Sequence, residues 1–543
     1  MKNDDCRTVR SRNPGTKGAH WHAPATEVRL FPDILHSAFF ILHQAAAPPE
    51  GSLLMIPAAE FPSAATNACK LCTPLGACLA FKGVEGAIPF LHGSQGCATY
   101  IRRYLISHFR EPMDIAASNF SEQSAVFGGG ANLKTGLANV VRQYQPRLVG
   151  LATTCLSETI GEDVPLHLRE FAETAAGPVP PVVHVSTASY RGTHMDGFND
   201  AVRALVEAFA GTDTIVRSDE SLSPAAVFPG MVSPSDLREL KRLGASMGIP
   251  FTLLPDYSET LDGPTWSDYE KLPAGGTSVS EIRRLSSAQM AIEFGRILAG
   301  AETTAGVVLE RRHQVPLHRL GLPIGLRETD RFLQILSRAR KDECRADVHS
   351  SGRSRCAERP NTTLCILPSG AGGLELPSDL ALERGRLIDS WVDGHKYVFG
   401  KRAVVFGEED LAVGLTSLLA EIGIVPVLVA SGGKSGRFAG TLRAAIPELD
   451  ARTAIRESAD FSTIAHEARQ LRPDLLVGNS KGYGLARELG IPLIRCGFPV
   501  HDRIGGQRLL HLGYAGAQQL FDRIVNALLE DKQTRSPVGY SYL

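Results

Sequence analysis

The chain has 543 residues, with 57 Lys+Arg against 58 Asp+Glu and a formal net charge of −1. Hydrophobic residues make up 43% and charged residues 21%, which excludes a disordered, collagen-like or multi-span membrane protein and points to large globular cores. The charge balance argues against a nucleic-acid partner, which wants a basic excess.

Residues 1–60 read as a flexible leader, polar at the start and rich in Gly, Pro and Ser around APPEGS, with Met55 as an alternative start. No secretory signal is recognisable, and the first apolar stretch, Ile34 to Leu42, is short and broken by His36. A cytoplasmic location without membrane attachment follows as the expectation, with thiols kept reduced. The ten cysteines are too sparse for a disulfide scaffold, so clustered ones point to metal binding or catalysis.

Beyond the leader, short apolar runs alternate with helix-length segments. GAIPFLH, PRLVGLATT (146–154), PPVVHVST (180–187), IPFTLLPD (249–256), KRAVVFGEED (401–410), VPVLVASGG (425–433), PDLLVGNS (473–480) and IPLIRCGFP (491–499) read as buried strands. Fully apolar strands alternating with helices predict parallel sheets covered by helices on both faces. Turn residues in SYRGTHMDGFN (188–200) suggest one break, and the polar stretch 341–363 an exposed aperiodic insertion. The division expected is 61–187, 188–335, an insertion over 336–370, and 371–543 with the C-terminal helices.

Three cysteines stand out. Cys72 sits in CTPLGA before a predicted helix, Cys97 in LHGSQGC after a strand, and Cys155 in ATTC after LVGLA. In a parallel α/β domain the carboxyl ends of strands face one crevice, and helix N-termini there favour anionic thiolates. Thiolates from separate elements can hold an iron–sulfur cluster; small buried residues are the simpler reading of each one alone. Spacing does not decide between them. His92, His108, His184 and His194 are most simply structural, Cys78 a core residue, and SGGKSGR (431–437) a strand–helix turn without the phosphate-loop pattern. Cys344, Cys356 and Cys365 fit no zinc spacing.

CKLCTPLGACLAFKGVEGAIPFLHGSQGCATYIRRYLISHFREP, AVFGG, ATTCLSETIGED and GNSKGYGLARELGIPLIRCGFPVHDR together resemble the beta-type subunit of the nitrogenase component 1 superfamily, from about residue 65 to the C-terminus. The resemblance implies three Rossmann-like domains with a metallocluster at the subunit interface. It implies that Cys72, Cys97 and Cys155 ligate half of a P-cluster, [8Fe-7S], with [4Fe-4S] as the alternative. Ser189 falls on a redox-sensitive serine ligand, Tyr100 on a tyrosine near the cluster, and Phe127 on the phenylalanine presented to the docked iron protein. Cys69 is an extra thiol. The implied partners are an alpha-type subunit, in an α2β2 heterotetramer, and an ATP-dependent iron protein that reduces it. The implied activity is that of the electron-relay subunit of a two-component reductase, with the substrate site in the partner and methylthio-alkanes preferred. A scaffold for iron–molybdenum cofactor assembly and a dinitrogen-reducing beta subunit are the alternatives.

Overall fold

A computed structural model describes residues 69–175, 177–212, 224–298, 300–351, 364–367 and 374–538. The expected leader lies outside these residues. The first sheet contains β1 (Ala87–His92), β2 (Ala116–Ala117), β3 (Leu148–Thr153) and β4 (Val182–Val185), all parallel, in the order β2-β1-β3-β4. Every residue of β1 and β3 is buried, as expected of central parallel strands covered on both faces. The strand order reverses between β1 and β3, so the helices that follow them diverge and leave a crevice at their carboxyl ends.

The second sheet, β5 (Ala225–Phe228), β6 (Phe251–Leu253), β7 (Ala291–Phe294) and β8 (Leu317–Leu320), is parallel in the order β6-β5-β7-β8. An antiparallel pair follows, β9 (Leu364–Leu367) with β10 (Leu374–Pro377). The last sheet, β11 (Arg402–Gly407), β12 (Val425–Ser431), β13 (Ala454–Arg456), β14 (Leu475–Gly478) and β15 (Leu493–Arg495), is parallel in the order β13-β12-β11-β14-β15.

Two local expectations are corrected. The turn-rich stretch 188–200 already contains the start of a helix, His194–Phe209. Thr193 and Asp196 form a capping box there, which outweighs the glycine at 197. The polar stretch 341–363 is not aperiodic throughout: helix Gly325–Ser351 runs into it, and Cys365 lies on β9. Its Lys, Arg, Glu and Ala residues are good helix formers without needing an apolar face. Residues 352–363, with Cys356, lie outside the described residues.

Buried carboxylates join the units by accepting main-chain N–H groups. Asp410, in helix Glu409–Glu421 after β11, accepts from Ile297 (2.9 Å) and Leu298 (3.1 Å) beyond β7. Asp236 accepts from His511 (2.7 Å) and Leu512 (3.0 Å). Each such bond satisfies a donor that burial would otherwise leave unpaired.

Candidate functional site

Each of the three cysteines occupies a helix N-terminus. Cys72 is the N-cap of α1 (Thr73–Lys82), Cys97 lies in the first turn of α2 (Gln95–Phe109) behind the N-cap Ser94, and Cys155 opens α3 (Cys155–Ile160) behind Thr154. The latter two follow β1 and β3, the strands that flank the order reversal. Gly93 brings their loops together, since a Cβ there would land on the Thr154 side chain. Thr154 N–H (3.1 Å) and Thr154 Oγ1 (3.2 Å) also donate to the His92 carbonyl.

Cys72 is delivered by a different contact. Helix α1 crosses α4 (His194–Phe209) where both carry glycine: a Cβ on Gly76 would strike the His194 carbonyl, and one on Gly197 the Thr73 carbonyl. Leu71 N–H donates to His194 Nδ1 (3.3 Å), and His194 N–H returns a bond to the Leu71 carbonyl (3.0 Å). Ser189, in the loop between β4 and α4, closes the group. Its N–H donates to Cys155 Sγ (3.2 Å), and its Oγ accepts from Thr73 N–H (3.2 Å), one residue from Cys72.

The electrostatics agree with this geometry. The Cys97 thiol is pushed up by burial and then by its neighbours Cys72 and Cys155, so the Cys97 sulfur lies within electrostatic reach of both others. Burial and a hydrogen bond with Tyr104 raise the Tyr100 phenol, and Cys72 adds to this. Among the described residues no three His, Cys, Asp or Glu side chains are packed tightly enough to bind one metal ion. Thiolates that ligate separate irons of a cluster need not meet at one point.

The family described as nitrogenase component 1 type oxidoreductase matches residues 72–529. The nitrogenase molybdenum-iron protein beta chain of Clostridium pasteurianum is 33% identical over 470 residues, covering 86% of this chain and 93% of the relative. The chain belongs to the nitrogenase component 1 family. The Azotobacter vinelandii beta chain is 31% identical over 492 residues, covering 88% of this chain and 87% of the relative. A solved structure titled "Nitrogenase Cp1 at pH 6.5" superposes with a TM-score of 0.76 at 30% identity, over 92% of this chain and 98% of that one. The protein is therefore a beta-type subunit of a nitrogenase-like oxidoreductase, in a family that carries iron–sulfur clusters of the P-cluster type.

The donor set fits such a group. Cys72 and Cys97 are half-buried and Cys155 is exposed, so their sulfurs can face a shared interface. Cys69 and Cys78 are buried instead. Burial pushes the Cys69 thiol up to about 11 and that of Cys78 higher still, and neither is suited to thiolate ligation. Two of the four histidines serve the scaffold: His108 Nδ1 accepts from Val500 N–H (2.9 Å), and burial holds His194 down at about 4.

Phe127 stands apart from the cysteine group. It ends the short helix Glu122–Phe127 and is 87% exposed, beside Val126 at 75%. Ser121 caps that helix, and Gly128 follows at φ 93°, a left-handed turn that suits glycine. One residue with a buried side chain escaped sequence reasoning: Glu162, just beyond the C-cap of α3, accepts the Gly129 N–H directly behind Phe127. Its only signal was an acidic pair after Gly161.

No described helix is long and apolar enough to cross a membrane.

Proposed function

We propose that this subunit holds half of a P-cluster through Cys72, Cys97 and Cys155 with Ser189, and so forms the electron relay of a two-component reductase. The observation that carries the reading is the meeting of these four residues from four separate segments at the carboxyl ends of β1, β3 and β4. When bound, an iron–sulfur cluster supplies one-electron transfer at a potential tuned by its ligands. The chain's own residues do the rest. The positive ends of three helix dipoles favour anionic sulfur, and the Ser189 N–H already bonds to Cys155 Sγ. Ser189 Oγ donates its proton to no group among the described residues, which leaves it able to act as a further oxygen ligand.

An alpha-type partner covers the open side and carries the substrate site, in an α2β2 assembly. An ATP-driven iron protein docks over Phe127, a large exposed aromatic on a short capped helix, the kind of anchor that dominates interfaces. Phe127→Ala should weaken iron-protein binding by about 2 kcal/mol, roughly thirtyfold, with cluster iron unchanged.

Methylthio-alkanes are the preferred substrates, on the texture of CKLC, YIRR and SETIGED. Dinitrogen is the second reading, favoured by the relatives' names. The purified complex with reduced iron protein and ATP should release a thiol and an alkane from a methylthio-alkane. Ammonia from dinitrogen would select the second reading. Binding and release of a cofactor precursor, without turnover of either substrate, would overturn both in favour of a scaffold.

A further inference from the structure

Behind the Phe127 turn lies a buried polar chain that the relay itself does not use. Glu162 accepts the Gly129 N–H through Oε1. Its other oxygen, Oε2, lies 3.5 Å from His92 Nε2 and 3.2 Å from His167 Nε2, and the carboxylate side chain is 4% exposed. Glu162 Oε2 and His92 Nε2 are both buried, and neither completes a hydrogen bond among the described residues.

On its far side the chain reaches the cysteine loops. His92 Nδ1 sits 3.0 Å from Ser118 Oγ, which accepts the Gly93 N–H (2.9 Å). When Ser118 gives its proton to Nδ1, the ring carries its own on Nε2, facing Glu162. The His92 carbonyl accepts from Thr154 N–H, Thr154 Oγ1 and Ser157 Oγ (2.8 Å), which brackets Cys155. His92 also ends β1, five residues before Cys97. One carboxylate and one imidazole thus connect the exposed aromatic to both loops that follow the flanking strands.

Buried polar groups are almost always satisfied, and an unsatisfied pair at 3.5 Å is one short movement from closing. We propose that Glu162 is a positioning residue that couples docking at Phe127 to the cysteine loops, by closing Oε2 onto His92 Nε2 when the Gly128–Gly129 turn is loaded. This rests on the docking reading above. Burial holds His92 down near 4, neutral, so the closed contact is a charge-assisted hydrogen bond to the carboxylate.

The test uses the assembled complex with its iron protein and compares Glu162→Ala, Glu162→Gln, Glu162→Asp and Phe127→Ala. Five quantities are read: iron content, affinity for the iron protein, the midpoint potential with and without it, the rate of electron entry, and amide exchange over 92–97 and 127–130. Glu162→Ala is expected to leave the undocked potential alone. At saturating iron protein it should abolish the docking-induced potential shift and slow electron entry roughly two- to thirtyfold, the span of typical coupling terms. Protection over 92–97 on docking should disappear, and Glu162→Asp should restore part of each. If saturating iron protein restores the wild-type shift and rate, Glu162 merely supports the turn and the coupling is overturned. A changed undocked potential or lost iron in both Glu162→Ala and Glu162→Gln overturns it as well. Phe127→Ala with unchanged affinity would instead sink the docking reading, whatever Glu162 does.

Discussion

Cys97→Ala should leave a complex stripped of most of its iron, or no complex at all. Weakening even an outer support of a metal ligand costs roughly 10–100-fold in affinity, and this change deletes a ligand outright. Cys97 also lies within electrostatic reach of both other sulfurs, so its loss removes the thiol that neighbours each of them. Metal analysis and size-exclusion chromatography of the co-expressed subunits check the outcome. Cys69→Ala is the control. That thiol lies in a small apolar cluster around Phe406 and Phe461, so its removal should cost about 1 kcal/mol of stability, the usual scale of a point change, and no iron. Normal iron in the Cys97 variant would remove that residue from the ligand set.

The second large effect is expected at Asp236, which is distant from the cysteines in sequence. Besides His511 and Leu512 N–H, it accepts from Ser233 N–H (3.0 Å) and faces His511 Nδ1 at 2.9 Å. Burial alone would raise the Asp236 carboxyl, but His511 and the main-chain donors outweigh it and hold it below its ordinary range. Burial alone would lower His511, and Asp236 carries it up to about 10. Removing one member of a buried ion pair typically costs about 3–5 kcal/mol, so Asp236→Ala should fall within that range in urea unfolding. The pH signature follows from the signs. The histidine part is complete below its unfolded value of 6.5 and fades as pH rises toward about 10. The aspartate part is complete above its unfolded value of 3.8 and fades as pH falls further. Wild-type stability should therefore decline between pH 6.5 and 10, and the variant should lose that slope.

Much of this was legible from residues alone, for identifiable reasons. β1, β3, β11 and β12 are six or seven residues long, almost wholly apolar and bounded by Gly or polar turns; that pattern has few other readings. β5 (AAVF), β7 (AIEF) and β8 (LHRL) have four residues each, and Ala or a charged side chain dilutes each apolar run, unlike the equally short β14 (LLVG). The cysteines were visible as residue types at strand ends, but their convergence depends on Gly76 meeting Gly197 and on the reversal between β1 and β3. Those are properties of packing and strand order, which spacing does not encode. Phe127 could equally have been a core residue; only the surface shows it 87% exposed. Glu162 was invisible because an acidic residue after a helix C-cap is usually solvated, and its burial under the Gly129 turn is tertiary.

The clasp made by Asp410 has an evolutionary corollary. Its partners at Ile297 and Leu298 are peptide nitrogens, and every amino acid except proline offers the same one. The side chains at 297 and 298 therefore play no part in this grip, although Ile297 is itself buried in the core, while the carboxylate on the other side cannot be exchanged. Substitution at 297 or 298 thus leaves the contact standing unless it brings proline, whereas substitution at 410 removes it.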